Sequence, residues 1–227
     1  WKIASIIKEL AVYTGSEEYE NSDPTMGDLR EEISQIRIIS QIIEEILSLV
    51  ENDTPWEMVI EKLTKSAEEY NLKRNDLGLI ITAIPSEIEE VKGFENALID
   101  HSEKRAFLLG YLIFGRELSD SAGLFFERNK EKFSEKPAIV LEIVSTLFEL
   151  GAEEEATRLA NLYLTHKKIA EEKFKDHNIE NPDKKFNLLK HYDDAMKLAQ
   201  LVGDQENIKF YKDKSKVLFD QSINQWK

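Results

Sequence analysis

The sequence predicts an all-α protein, and three observations carry that prediction. Apolar residues recur three and four apart along almost its whole length, no segment alternates with period two for long enough to make a strand, and helix start and stop signals punctuate the pattern. The periodicity predicts helices over 2–13, 28–51, 54–70, 75–84, 86–100, 102–114, 117–132, 136–149, 153–176, 183–202 and 205–224.

At the N-terminal end the apolar run from Trp1 to Ile7 meets Lys8 and Glu9 before a signal-peptide core can form. Ser16 to Gly27 holds Glu17, Glu18, Glu20, Asn21, Asp23 and Pro24, too many turn formers and too few apolar groups for a packed helix, so it reads as an exposed loop. The helix over 28–51 is different. Leu29, Ile36, Ile43 and Val50 lie seven apart, and Ile33, Ile39, Ile42, Ile46 and Leu47 widen the stripe beyond a narrow seam. A central core helix is the simpler reading; a homodimer through Ile36, Ile39, Ile43 and Ile46 is the alternative.

The next element opens on Thr54-Pro55-Trp56-Glu57, which offers a hydroxyl cap, a proline in the first turn and a carboxylate three residues on. Ser86 with Glu89 gives a second such box after Pro85. Gly115, Gly151 and Gly203 sit where helices should stop. Asp176 to Asp183, with Asn178, Asn181 and Pro182, reads as a turn between helices.

Charge narrows the function classes. With 30 Lys and Arg against 44 Asp and Glu, a net −14, the chain has the wrong sign for gripping a nucleic-acid backbone. The acidity is uneven: residues 1–164 carry 17 basic and 33 acidic side chains, residues 165–227 carry 13 and 11. No run approaches the roughly 20 apolar residues of a membrane-spanning helix. The sequence contains no cysteine, which removes disulfides and thiolate sites, and the cytoplasm is the expected compartment.

An internal similarity organises the second half. Glu154-Glu155-Ala156-Thr157-Arg158-Leu159-Ala160-Asn161-Leu162 matches Asp193-Asp194-Ala195-Met196-Lys197-Leu198-Ala199-Gln200-Leu201 in type at eight of nine positions, 39 residues apart. A fainter copy around Ala122 lies 34 residues before Ala156. Ala156 and Ala160, like Ala195 and Ala199, fall on one helix face, where a neighbouring backbone can approach closely. Helices of this kind cannot hide their stripes alone, so stacked hairpins with one continuous core are expected.

On these residues, with Leu150-Gly151 ahead of the first copy and Tyr192 and Leu201-Val202-Gly203-Asp204 flanking the second, the sequence resembles the tetratricopeptide repeat family over residues 102–227. The resemblance implies antiparallel helix hairpins stacked as an α-solenoid, with peptide or protein binding on its concave side and usually no chemistry. The expected organisation is therefore an acidic N-terminal helical region, 1–101, followed by a tetratricopeptide-like repeat region, 102–227. A helical bundle with coincidental alanine spacing remains the competing architecture.

Signals for chemistry are sparse. The nine glycines never form a phosphate-cradling loop, and His101, His166, His177 and His191 lack the spacing of a helical zinc or di-iron site, so neither cofactor nor metal is expected. His191 with Asp193 and Asp194 is the one place where acid and base types lie close together. Adjacent aromatics such as Phe125 and Phe126 cannot both face the core, which leaves the less buried one for a partner. The candidate partner-binding residues are Phe125, Phe126, Asn161, Asn187, Lys190 and Tyr192. The preferred reading is a non-enzymatic scaffold or adaptor that binds a protein or peptide, without nucleic acid or membrane as partner. The alternatives are a small all-α enzyme or ligand-binding protein with His191 and Asp194 in a pocket, and a self-assembling structural subunit.

Overall fold

A computed structural model describes residues 27–84, 88–101, 106–115, 120–173 and 182–224. Among them every regular element is an α-helix. There are ten: α1 Gly27–Glu51, α2 Trp56–Glu69, α3 Arg74–Thr82, α4 Ile88–His101, α5 Phe107–Phe114, α6 Ser121–Glu135, α7 Pro137–Glu149, α8 Glu153–Lys173, α9 Pro182–Leu201 and α10 Gln205–Asn224. The helix expected over 2–13, the acidic loop from Ser16, the Ser86 box and most of the break at 176–183 lie outside the described residues. The chain divides into two compact units, Trp1–His101 and Ser102–Lys227.

In the first unit α1 packs on α2 and α3, and α2 packs on α4. Its interior is aliphatic: Ile39, Ile42, Ile43 and Ile46 from α1 meet Val59, Ile60 and Leu63 from α2 and Ile80 and Ile81 from α3, all buried. The broad isoleucine stripe therefore faces neighbours on more than one side, as a stripe wider than a coiled-coil seam requires. Trp56 closes the other end. Its ring lies 5.0 Å from that of Phe94 and so close over Gly93 that a Cβ there would stand 2.6 Å from Trp56 Cδ1.

The start of α2 departs from the expected capping box. Pro55, not Thr54, occupies the N-cap with φ −53° and ψ 136°, no side chain caps the helix, and the Pro55 carbonyl accepts from the amides of Met58 and Val59 at 2.9 and 3.2 Å. Thr54 is one residue too early for its hydroxyl to reach the orphan amides. At α3 a carboxylate does the equivalent work, since Asp76 Oδ2 accepts from the Lys73 amide at 2.8 Å and from Gln35 Nε2 of α1 at 3.1 Å.

In the second unit each helix packs on the next one in sequence. Gly115, Gly151 and Gly203 end α5, α7 and α9, and each of these helices packs on the helix that follows it. Gly151 and Gly203 adopt φ of +75° and +71°, and the same bonds close both helices: Ala152 N donates to Leu147 O, and Asp204 N to Ala199 O, each at 2.9 Å. This is the left-handed stop that glycine alone makes without steric cost. Gly115 stops its helix with an ordinary φ of −70°.

Beyond neighbours in sequence, α5 packs on α7 and α7 on α9, while α6 packs on α8. Small residues set these approaches. A Cβ on Gly110 of α5 would stand 2.8 Å from Thr146 of α7, and Ala122, Ala156, Ala160, Ala195 and Ala199 are all fully buried. The two copies 39 residues apart occupy different places, however. Residues 154–162 begin α8 after the Gly151 turn, whereas 193–201 end α9 before the Gly203 turn. The likeness reflects one amphipathic pattern used in two settings. The 34-residue offset joins Ala122, the second residue of α6, to Ala156, the fourth of α8, and Glu155 of α8 accepts from the Ala122 amide at 2.8 Å.

Candidate functional site

Helix α6 begins at Asp120, a non-glycine residue held at φ +73°. Its carboxylate accepts from the Gly123 amide at 3.1 Å and pairs with Arg158 Nε of α8, so the two helix starts are pinned to each other. Beside this pair, residues of α6 and α8 line an open groove of about 880 Å³. Phe126, Leu162 and Ile169 give it an apolar lining. Phe126 is nearly covered, its ring edge-on to His166 at 5.9 Å, while Ile169 stays 49% exposed.

Along one side of the groove Thr157, Asn161 and Thr165 stand four apart on α8, and Ile169 continues the row. None of the three polar side chains has a hydrogen-bond partner among the described residues. The cations that line the groove are engaged: Lys130 pairs with Glu127 at 2.9 Å, and Arg158 with Asp120. An extended ligand laid here would meet an apolar surface beside side chains that can both donate and accept.

A second polar cluster lies inside the unit, between α8, α9 and α10. Tyr192 Oη donates to Glu171 Oε2 at 2.7 Å, and Lys167, itself buried, lies 3.4 Å from the other oxygen of Glu171. Tyr163 Oη, Asp194 Oδ2, Asn207 Oδ1 and Tyr211 Oη are buried with no hydrogen-bond partner. Burial pushes the phenols of Tyr163, Tyr192 and Tyr211 well above the ordinary range. It also raises the Asp194 carboxyl and lowers the His191 imidazole, to which Lys167 adds by repulsion and which Asp194 opposes.

The sequence candidates thus fall into separate places. Phe126 and Asn161 meet in the groove. Phe125 is fully buried against Phe133, ring centroids 5.4 Å apart, so of the adjacent pair only Phe126 reaches the groove. Tyr192 belongs to the inner cluster, and Lys190 is an electrostatic neighbour of Asp194 and His191 there. Asn187 is exposed on α9 and lines neither. Ile39, Ile43 and Ile46 are buried within the first unit and Ile36 is half-buried. Sequence reasoning passed over Thr157, Thr165 and Ile169. The available signal was a row of uncharged hydrogen-bonding side chains at helical spacing in a chain one-third charged.

The chain matches no family model, no curated protein and no solved structure. Among the described residues no group of three His, Cys, Asp or Glu could hold a metal ion. No helix among them is long and apolar enough to cross a membrane.

Proposed function

We propose that residues 102–227 form a tetratricopeptide-like stack of antiparallel helix hairpins, and that the chain acts in the cytoplasm as a non-enzymatic scaffold or adaptor binding a peptide or protein. The stacking reading is supported by two helix pairs, α7 with α8 and α9 with α10, that each turn at a left-handed glycine, and by contacts that run α5–α7–α9 along one row and α6–α8 along the other. The observation that carries the function is the groove of the α6–α8 row, where Phe126, Leu162 and Ile169 adjoin the unpartnered Thr157, Asn161 and Thr165. An open, mixed surface of this kind suits an extended chain better than a small enclosed substrate.

Selection of displayed peptides on the full chain, followed by amide-shift mapping, tests the reading. Selected peptides should shift Thr157, Asn161 and Thr165, and Ile169→Asp should abolish their binding. Peptides that map to other surfaces, or a selection that yields none, would remove the groove from consideration.

A second reading, a ligand-binding protein with His191 and Asp194 at its site, is favoured by the four buried oxygens that lack partners. Native mass spectrometry of the purified chain would show a co-purifying small molecule lost in Asp194→Leu. A bare chain mass in the wild type counts against it.

A further inference from the structure

The α6–α8 groove differs in chemistry from one end to the other. At the start of α8, Glu153 and Glu154 line it, and neither carboxylate has an ion-pair partner among the described residues. At the other end stands the half-exposed Ile169, with Phe126 and Leu162 nearby in the lining. Because Lys130 and Arg158 are each neutralised by an acid, the charge left over in the groove is negative. The chain as a whole carries −14 and adds no opposing field.

From Glu154 to Ile169 the helix rises about 22 Å at 1.5 Å per residue. An extended peptide of about seven residues covers that distance. Thr157, Asn161 and Thr165 lie between the two ends, placed to meet its backbone amides and carbonyls.

We propose that the occupant of this groove is a short extended peptide that sets a Lys or Arg against Glu153 and Glu154 and an aliphatic or aromatic side chain against Ile169. The proposal rests on the groove being the binding surface and adds the chemistry and direction of what binds. Charge selects the partner and apolar burial holds it, the division of labour expected when exposed carboxylates flank a partly covered apolar lining.

Two fluorescein-labelled peptides test it on the full chain by anisotropy, each of eight residues with a Ser and Asn spacer and a Leu at one end. One carries Lys at the other end and the other carries Glu. The Lys peptide should bind about three- to tenfold more tightly at low salt, and the gap should close as salt rises. Glu153→Gln with Glu154→Gln should erase the preference, and Glu153→Lys with Glu154→Lys should reverse it. Ile169→Asp should weaken both peptides. Circular dichroism melts confirm that each variant is folded. Equal binding of the two peptides, or tighter binding of the Glu peptide, with Ile169→Asp still weakening both, overturns the charge assignment and leaves the groove standing. Binding of neither peptide, or binding indifferent to Ile169→Asp, overturns the assignment together with the groove reading.

Discussion

The two units solve one packing problem with different residues. In the first, long branched side chains fill the space between helices, and the buried polar groups among the described residues are Ser40, Ser66 and Glu95. In the second, alanines and Gly110 let helices approach, and Ser121, Asn129, Thr146, Lys167, Lys185, Asp194 and Asn207 are carried inside. Bulky aliphatics close an interface along its length. Notched helices touch at the notches, and α6 and α8, pinned at Asp120 and Arg158 and still in contact at Phe126 and His166, carry over their shared face a groove that runs from Glu153 to Ile169.

Six substitutions would break or sharpen this contrast. The largest effect should come from Ile46→Ala in the first unit, where a side chain 1% exposed is removed from a filled interface. A loss of about 2–5 kcal/mol is expected in chemical denaturation. The opposite change in the second unit, Ala160→Leu, overfills a fully buried notch and should cost about 1–3 kcal/mol. Should Ala160→Leu be accommodated without loss, the notches do not set the helix spacing.

The next two concern charge. The Asp194 carboxyl is held above its ordinary 3.8 by burial, so the folded state takes up its proton more readily than the unfolded chain, and stability falls as pH rises from 3.8 through the raised value. Glu45 of the first unit is held below its ordinary 4.5, chiefly by its hydrogen bond with Lys62. Its contribution is present above 4.5 and is lost as pH falls through the lowered value. Asp194→Asn should therefore raise stability at neutral pH, whereas Glu45→Gln should blunt the loss on acidification. Denaturation midpoints between pH 3 and 8 give both signs.

The smallest effect separates two glycines. Gly151→Ala should cost about 1 kcal/mol because its φ is +75°, while Gly115→Ala at −70° should be nearly neutral. Equal melting temperatures for these two variants would show that the left-handed turn is not what the second unit requires of Gly151.

What could be read in advance follows the range of the forces involved. Gly151 and Gly203 were recognisable as helix stops because a left-handed residue is a local demand. Thr54 misled because capping depends on a one-residue register that Pro55 decided. The buried alanines were visible as a pattern, but the 39-residue likeness joined the start of α8 to the end of α9, since an amphipathic period is the same wherever on a helix it falls. Of the adjacent Phe125 and Phe126, the sequence could say only that they point apart.

By itself the sequence determined the all-helical character, most helix ends and the residues available for a core, because each follows from contacts within a few residues along the chain. Only the tertiary structure decided that α6 lies on α8, that Phe126 rather than Phe125 reaches the groove, and that Thr157, Asn161, Thr165 and Ile169 share one open face. Exposure is a property of what a neighbouring helix fails to cover, and that neighbour comes from a distant part of the chain.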